Sequence, residues 1–149
     1  MRLALTIPIL LAALAGCGKG TPLPPPTGSP VTEDDTTRIH GDWRAVGIRY
    51  EEGKPDEPTD GWTLRFDNSS YVMQLEDAES GAFTLLQTSM PKWIDFVTKD
   101  SDLRRGLYSL DGDKLVICFP EQKNADRPAA MKANLDDEGT FVITFTRNK

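Results

Sequence analysis

Between Trp43 and Thr146, apolar and polar residues trade places at every second position in one short run after another, and no stretch sustains the apolar spacing of a helix. Trp62, Leu64 and Phe66 fall on one face of their run, while Thr63, Arg65 and Asp67 fall on the other. The same division sets Tyr71, Met73 and Leu75 against Val72 and Gln74, and Ile94 and Phe96 against Asp95. It also sets Leu115, Ile117 and Phe119 against Lys114, Val116 and Cys118, and Phe141, Ile143 and Phe145 close the series. Side chains of an extended backbone alternate between two faces, so this pattern specifies strands with one dry and one wet side.

Eight strands are expected: Trp43 to Tyr50, Trp62 to Asp67, Tyr71 to Leu75, Ala82 to Gln87, Trp93 to Thr98, Leu103 to Leu110, Lys114 to Phe119 and Thr140 to Thr146. Asp67-Asn68-Ser69-Ser70 and Asp111-Gly112-Asp113 between them are tight-turn chemistry, with short side chains or Gly able to take positive φ. Neighbouring strands are therefore antiparallel hairpins. Eight such strands avoid exposed edges by closing into an up-and-down barrel. A β-sandwich buries the same faces and stands as the alternative all-β architecture.

The N-terminal segment is organised differently. One positive charge at Arg2 precedes an apolar run, Leu3 to Ala15, broken by Thr6 and Pro8. That run is shorter than the roughly 20 apolar residues a membrane-spanning helix needs, and it has the grammar of an export signal. Leu14-Ala15-Gly16-Cys17, directly after it, resembles the lipobox of bacterial lipoproteins. The resemblance implies that residues 1–16 are removed and that Cys17 carries lipid at the mature N-terminus. Each buried acyl methylene contributes about 0.8 kcal/mol, so two or more chains give stable membrane attachment. The expected location is a cell-envelope membrane, on its periplasmic side or at the cell surface. Gly18, where an Asp would argue for inner-membrane retention, is compatible with the outer membrane.

From Cys17 to Arg38 the chain interleaves Pro22, Pro24, Pro25, Pro26 and Pro30 with Gly, Thr and Ser, and then turns acidic. Such a stretch cannot build a core and reads as a semi-rigid tether, leaving residues 39–149 for one folded domain. Removing residues 1–16 of 149 leaves 133, and the net charge of −6 becomes −7 as Arg2 departs. That charge gives no general attraction to nucleic acid. Cys118 is the second of two cysteines and His40 the single histidine, which argues against an intramolecular disulfide or a His- or Cys-rich zinc site. No metal or cofactor is expected. The acidic clusters Glu33-Asp34-Asp35 and Asp136-Asp137-Glu138 read as solvated loops.

Gly41-Asp42-Trp43, opening the first strand, resembles the Gly-x-Trp with which lipocalin-like barrels begin. Further landmarks follow in order: Glu52-Gly53-Lys54-Pro55, Leu64-Arg65-Phe66-Asp67, Gly81-Ala82-Phe83, Pro91-Lys92-Trp93-Ile94-Asp95, Gly106 to Asp113, Leu115 to Phe119 and Arg127-Pro128. Together they resemble a planctomycete lipocalin-like domain family without an assigned activity, over most of Gly41 to Lys149. The chain departs from that pattern at Ala129-Ala130-Met131, where the family carries a more polar and aromatic stretch. The resemblance implies a fold and transfers no catalytic residues.

Two functional readings follow. An eight-stranded barrel is just wide enough to be filled by its own side chains or to hold one small ligand. In the first reading the protein binds a small apolar molecule, with Trp43, Trp62, Phe66, Tyr71, Tyr108 and Arg127 as candidate ligand-binding residues. In the second it is a non-enzymatic interaction or structural module of the envelope, solid inside, touching a partner protein through the long loops Glu51 to Gly61 and Pro120 to Asp136. Arg127 is expected to neutralise a carboxylate inside or beneath the barrel. Catalysis has little support, although a paired-carboxylate hydrolase stays open. A Ser-His-Asp site needs His40, at the tether junction, and Cys118 alternates with inward residues without a partner base. No enzyme is expected, and a monomer is.

Overall fold

The computed structural model describes residues 34–149; the expected export signal, Cys17 and the Pro-rich run lie outside the described residues. The domain is a closed barrel of eight antiparallel strands in simple up-and-down order. They are β1 (Gly41–Arg49), β2 (Thr63–Asp67), β3 (Ser70–Gln74), β4 (Ala78–Leu86), β5 (Lys92–Thr98), β6 (Leu103–Asp111), β7 (Lys114–Pro120) and β8 (Thr140–Arg147). Two single-turn helices, α1 (Asp35–Arg38) and α2 (Leu135–Glu138), precede β1 and β8. The ring closes because β1 pairs with β8 as well as with β2, which excludes a sandwich and leaves no strand edge unpaired.

The hairpins turn where the sequence has residues that tolerate positive φ: Asn68 at +52° between β2 and β3, and Gly112 at +54° between β6 and β7. Every strand sends its expected apolar face inward. Leu64, Phe66, Tyr71, Met73, Ile94, Phe96, Leu115, Ile117, Phe119, Ile143 and Phe145 are all buried in one core. Its aromatic rings interlock, with Phe66 edge-on to Phe83 at 4.6 Å and Tyr71 edge-on to Phe96 at 4.7 Å between centroids. This part of the interior is filled by side chains.

One end of the barrel is closed by α1. Asp34 caps the turn, accepting from the Thr36 amide, and Ile39 is fully buried beneath it. The Trp43 indole donates to the Ile39 carbonyl at 2.8 Å, and the Arg147 guanidinium lies 4.3 Å from the Trp43 ring. Arg147 also donates to the carbonyls of His40 and Arg38, so the last strand clamps the entering chain. Asp35 is 2 % exposed; its carboxylate accepts from the Tyr108 hydroxyl at 2.9 Å and pairs with Lys92 at 2.5 Å and Arg38 at 3.1 Å. The reading of Asp35 as solvated, and of the tether as running to Arg38, is thus corrected, while Asp34 is exposed as expected and Glu33 lies outside the described residues. Two cations and a phenol wait at the barrel end for this carboxylate, a long-range arrangement that local composition does not reveal.

The wet-face expectation also fails on one wall. Leu107, Cys118 and Val142 point outward from β6, β7 and β8, yet they are buried with Ala133 in a second cluster. The segment between β7 and β8 folds back over them. The Cys118 thiol donates to the Lys132 carbonyl at 3.4 Å, and the Thr140 hydroxyl donates to the same oxygen at 3.1 Å. Arg127 sits on this covering segment. It pairs with Asp95, donating from Nη2 to Oδ2 at 3.0 Å with Nη1 2.7 Å from Oδ1, donates to the Gly106 carbonyl at 2.7 Å and stacks 4.3 Å from the Trp93 ring. It neutralises a carboxylate as expected, but outside the barrel wall and not within or beneath it. Asp95 and Trp93 alternate with inward Ile94 and Phe96.

Candidate functional site: a cleft at the open mouth

Opposite the end closed by α1, the barrel opens into a cleft of ≈ 640 Å³. The ends of β1 and β2 bring Tyr50 and Trp62 to it, β3 brings Met73 and Leu75, and β8 brings Phe141. Tyr50 and Phe141 face each other with ring centroids 6.5 Å apart. Tyr50 reaches the interior because β1 carries a bulge between Ala45 and Gly47, leaving Val46 exposed and turning Ile48 inward after Ala45.

Polar groups line the other side. Glu79 on β4 and Arg104 on β6 occupy inward positions and pair at 3.5 Å, their side chains only 14 % and 13 % exposed. Glu79 also accepts from the Tyr71 hydroxyl at 2.8 Å and pairs with Lys123 at 3.2 Å. Arg104 lies 5.7 Å from the Phe119 ring, which roofs the packed core. The cleft therefore has an aromatic and aliphatic wall, a packed floor and an interior ion pair. A concave site that joins an apolar wall to convergent polar groups can hold a small molecule, and here the polar share is large, with five carboxylates and three cations in the lining.

The residues anticipated as ligand contacts scatter. Trp62 lines the cleft. Phe66 is in the packed core, and Tyr71 reaches the site only through its hydroxyl on Glu79. Trp43 and Tyr108 belong to the closed end, and Arg127 to the outer wall. Tyr50, Leu75, Glu79, Arg104 and Phe141 were not anticipated as ligand contacts. The long loops are tied down as well as solvated: Ile48 and Glu57 exchange both backbone hydrogen bonds, and Arg49 pairs with Asp56 at 2.8 Å. Leu135 donates to the Tyr50 carbonyl at 3.0 Å, fixing the second loop at the same rim.

No family model, curated protein or solved structure matches this chain. The site is therefore read from its own residues.

Cys118 and His40, the two candidate nucleophile and base residues, lie away from the cleft. Burial pushes the Cys118 thiol up to about 11, leaving little thiolate at neutral pH. His40 is at the closed end, its ring on the Asn68 carbonyl at 2.9 Å. Burial, and then the hydrogen bond to a carboxylate, raise the phenols of Tyr71 and Tyr108 well above the ordinary 10.0. In the unfolded chain these phenols ionise around pH 10, while in the barrel they stay protonated. Their contribution to stability is complete below that pH and declines above it, preceded by a Cys118 contribution that fades from pH 9 to about 11. Urea melts between about pH 8 and pH 11 should show stability falling by up to about 1.4 kcal/mol per pH unit for each tyrosine, and Tyr71→Phe or Tyr108→Phe should flatten that slope.

Proposed function

We propose that this chain is a lipid-anchored protein of the bacterial cell envelope whose lipocalin-like barrel binds one small molecule with an apolar body in the cleft at its mouth. The cleft itself carries the reading: an aromatic-walled opening stands above a core that is otherwise packed solid, so a ligand is held at the mouth and not swallowed. The lipobox-like Leu14-Ala15-Gly16-Cys17 supports the anchor, with Cys17 as the lipidated residue. The described chain enters the barrel at its closed end, opposite the mouth. The packed lower core also suits the alternative of a structural or interaction module, and ligand occupancy separates the two.

Native mass spectrometry of the protein purified from its own envelope is the test. The expected spectrum shows a Cys17-terminated, acylated polypeptide carrying a bound small molecule. Trp62→Ala, folded by its melting curve, should lose that molecule with an affinity drop of about tenfold or more, because a Trp face is removed from the wall. Bare polypeptide from wild-type cells would exclude the ligand reading, and an unacylated mature N-terminus would exclude the anchor.

A further inference from the structure

The charges around the mouth are unequal once the internal pairs are counted. Arg104 is held by Glu79, and Lys123 is shared between Glu79 at 3.2 Å and Asp102 at 3.6 Å. Lys99 is then the one cleft-lining cation without an ion pair among the described residues. Against it stand four lining carboxylates, Glu76, Asp77, Asp100 and Glu121, which also have no ion pair among the described residues. All four are exposed at the rim, where they cost nothing to leave charged and where they set the sign of the field entering the cleft.

That field falls on aromatic surface. Tyr50 is partly buried beside Phe141, and its phenol is pushed up by burial and then by the nearby charges of Glu57 and Glu76. Two carboxylates thus act on the same ring whose face borders the cleft. Aromatic faces attract cations and low-dielectric walls strengthen the attraction, so rings and carboxylates here favour the same sign of ligand charge. An anionic amphiphile would meet the carboxylate rim with Lys99 alone to receive its head, unless it drew Arg104 or Lys123 away from Glu79.

We infer that the cleft is selective for an amphipathic organic cation, its apolar body against Trp62, Leu75 and Phe141 and its ammonium group between the Tyr50 ring and the Glu76–Asp77 rim. This rests on the mouth being a ligand site and adds the charge class of what enters it.

The test uses three probes with one decyl chain and different heads: decyltrimethylammonium, decyl maltoside and decanoate, each titrated below its micellar concentration and followed by calorimetry. The ammonium probe should bind about tenfold more tightly than the neutral one, with decanoate weakest. Glu76→Gln combined with Asp77→Asn, both at exposed positions, should abolish most of that preference while changing decyl maltoside affinity much less. Equal or tighter binding of the neutral or anionic probe overturns the charge selectivity while the cleft reading stands, as does a preference that survives the double substitution. Failure of all three probes to bind overturns the cleft reading together with this one.

Discussion

Gly81→Ala should unfold or nearly unfold the barrel, with a melting temperature lowered by more than about 10 °C. Gly81 lies on β4 opposite Tyr71 of β3 and Thr98 of β5. A methyl group built on it would stand 1.9 Å from the Val97 carbonyl oxygen and 2.9 Å from the Thr98 Cα. Both obstacles are backbone atoms of the neighbouring strand, so no rotamer change relieves them and β4 must separate from β5. The cost is at the upper end for an inserted methyl, about 3 kcal/mol or more. Separation there would also displace Glu79, two residues away on the same inward face, and with it the ion pair in the cleft. Ala82→Ser, at the adjacent outward and exposed position, is the matching control and should melt close to the wild type. Thermal melts followed by circular dichroism check both.

Asp35→Ala should be nearly as damaging, for an electrostatic reason. The carboxylate is buried, whereas the side chains of Lys92 and Arg38 are 33 % and 30 % exposed and can turn to solvent when it is gone. The Tyr108 hydroxyl cannot, being 2 % exposed, and would be left without its acceptor. Breaking a buried pair costs about 3–5 kcal/mol when the survivor stays buried, and the exposure of the two cations reduces this to about 2–3 kcal/mol. α1 should loosen with it, because the carboxylate ties that turn to Lys92 and Tyr108 across the barrel end, whereas the Asp35 amide bond to Gln87 and the Ile39 amide bond to the Asp35 carbonyl are backbone contacts that Ala retains. Tyr108→Phe should then cost much less in the Asp35→Ala background than in the wild type, since its hydroxyl no longer has a partner to lose. Denaturant melts of the four proteins in that cycle measure it, and additive costs would contradict the coupling.

The barrel was legible in the sequence because its evidence is local. Leu64 and Phe66, Leu115, Ile117 and Phe119 declare their face by alternation, and Asn68 and Gly112 declare the turns. β4 begins at Ala78, earlier than the apolar signal at Ala82, since Glu79 and Ser80 continue the inward and outward alternation with polar side chains. That extension hid Glu79, although counting back by twos from Phe83 through Gly81 reaches it. Arg104 sits at the corresponding inward position before Gly106 and Tyr108 and was legible by the same count. Tyr50 was not. Strict alternation from Trp43 puts it on the outer face, and only the bulge after Ala45 brings it inside.

Contacts across long sequence separation were equally hidden. Nothing near Asp35 announces Lys92 or Tyr108, and nothing in Arg127-Pro128 says that the segment following β7 covers Cys118 and pairs with Asp95 from outside. An aromatic at an inward position is a reliable sign of the core and a poor sign of the site. Trp43, Phe66 and Tyr108 are all inward, and all are sealed away from the cleft that Trp62 lines.

The most direct test of a barrel packed solid from one end and open at the other is solvent paramagnetic relaxation in the ligand-free protein, with hydroxy-TEMPO as the probe. Broadening is expected at the Trp62 indole and the Leu75 methyls, while the Trp43 indole and the methyls of Leu64, Ile94 and Ile143 stay sharp. Equal broadening of Trp43 and Trp62, or protection of Trp62 to the level of the core methyls, would contradict it.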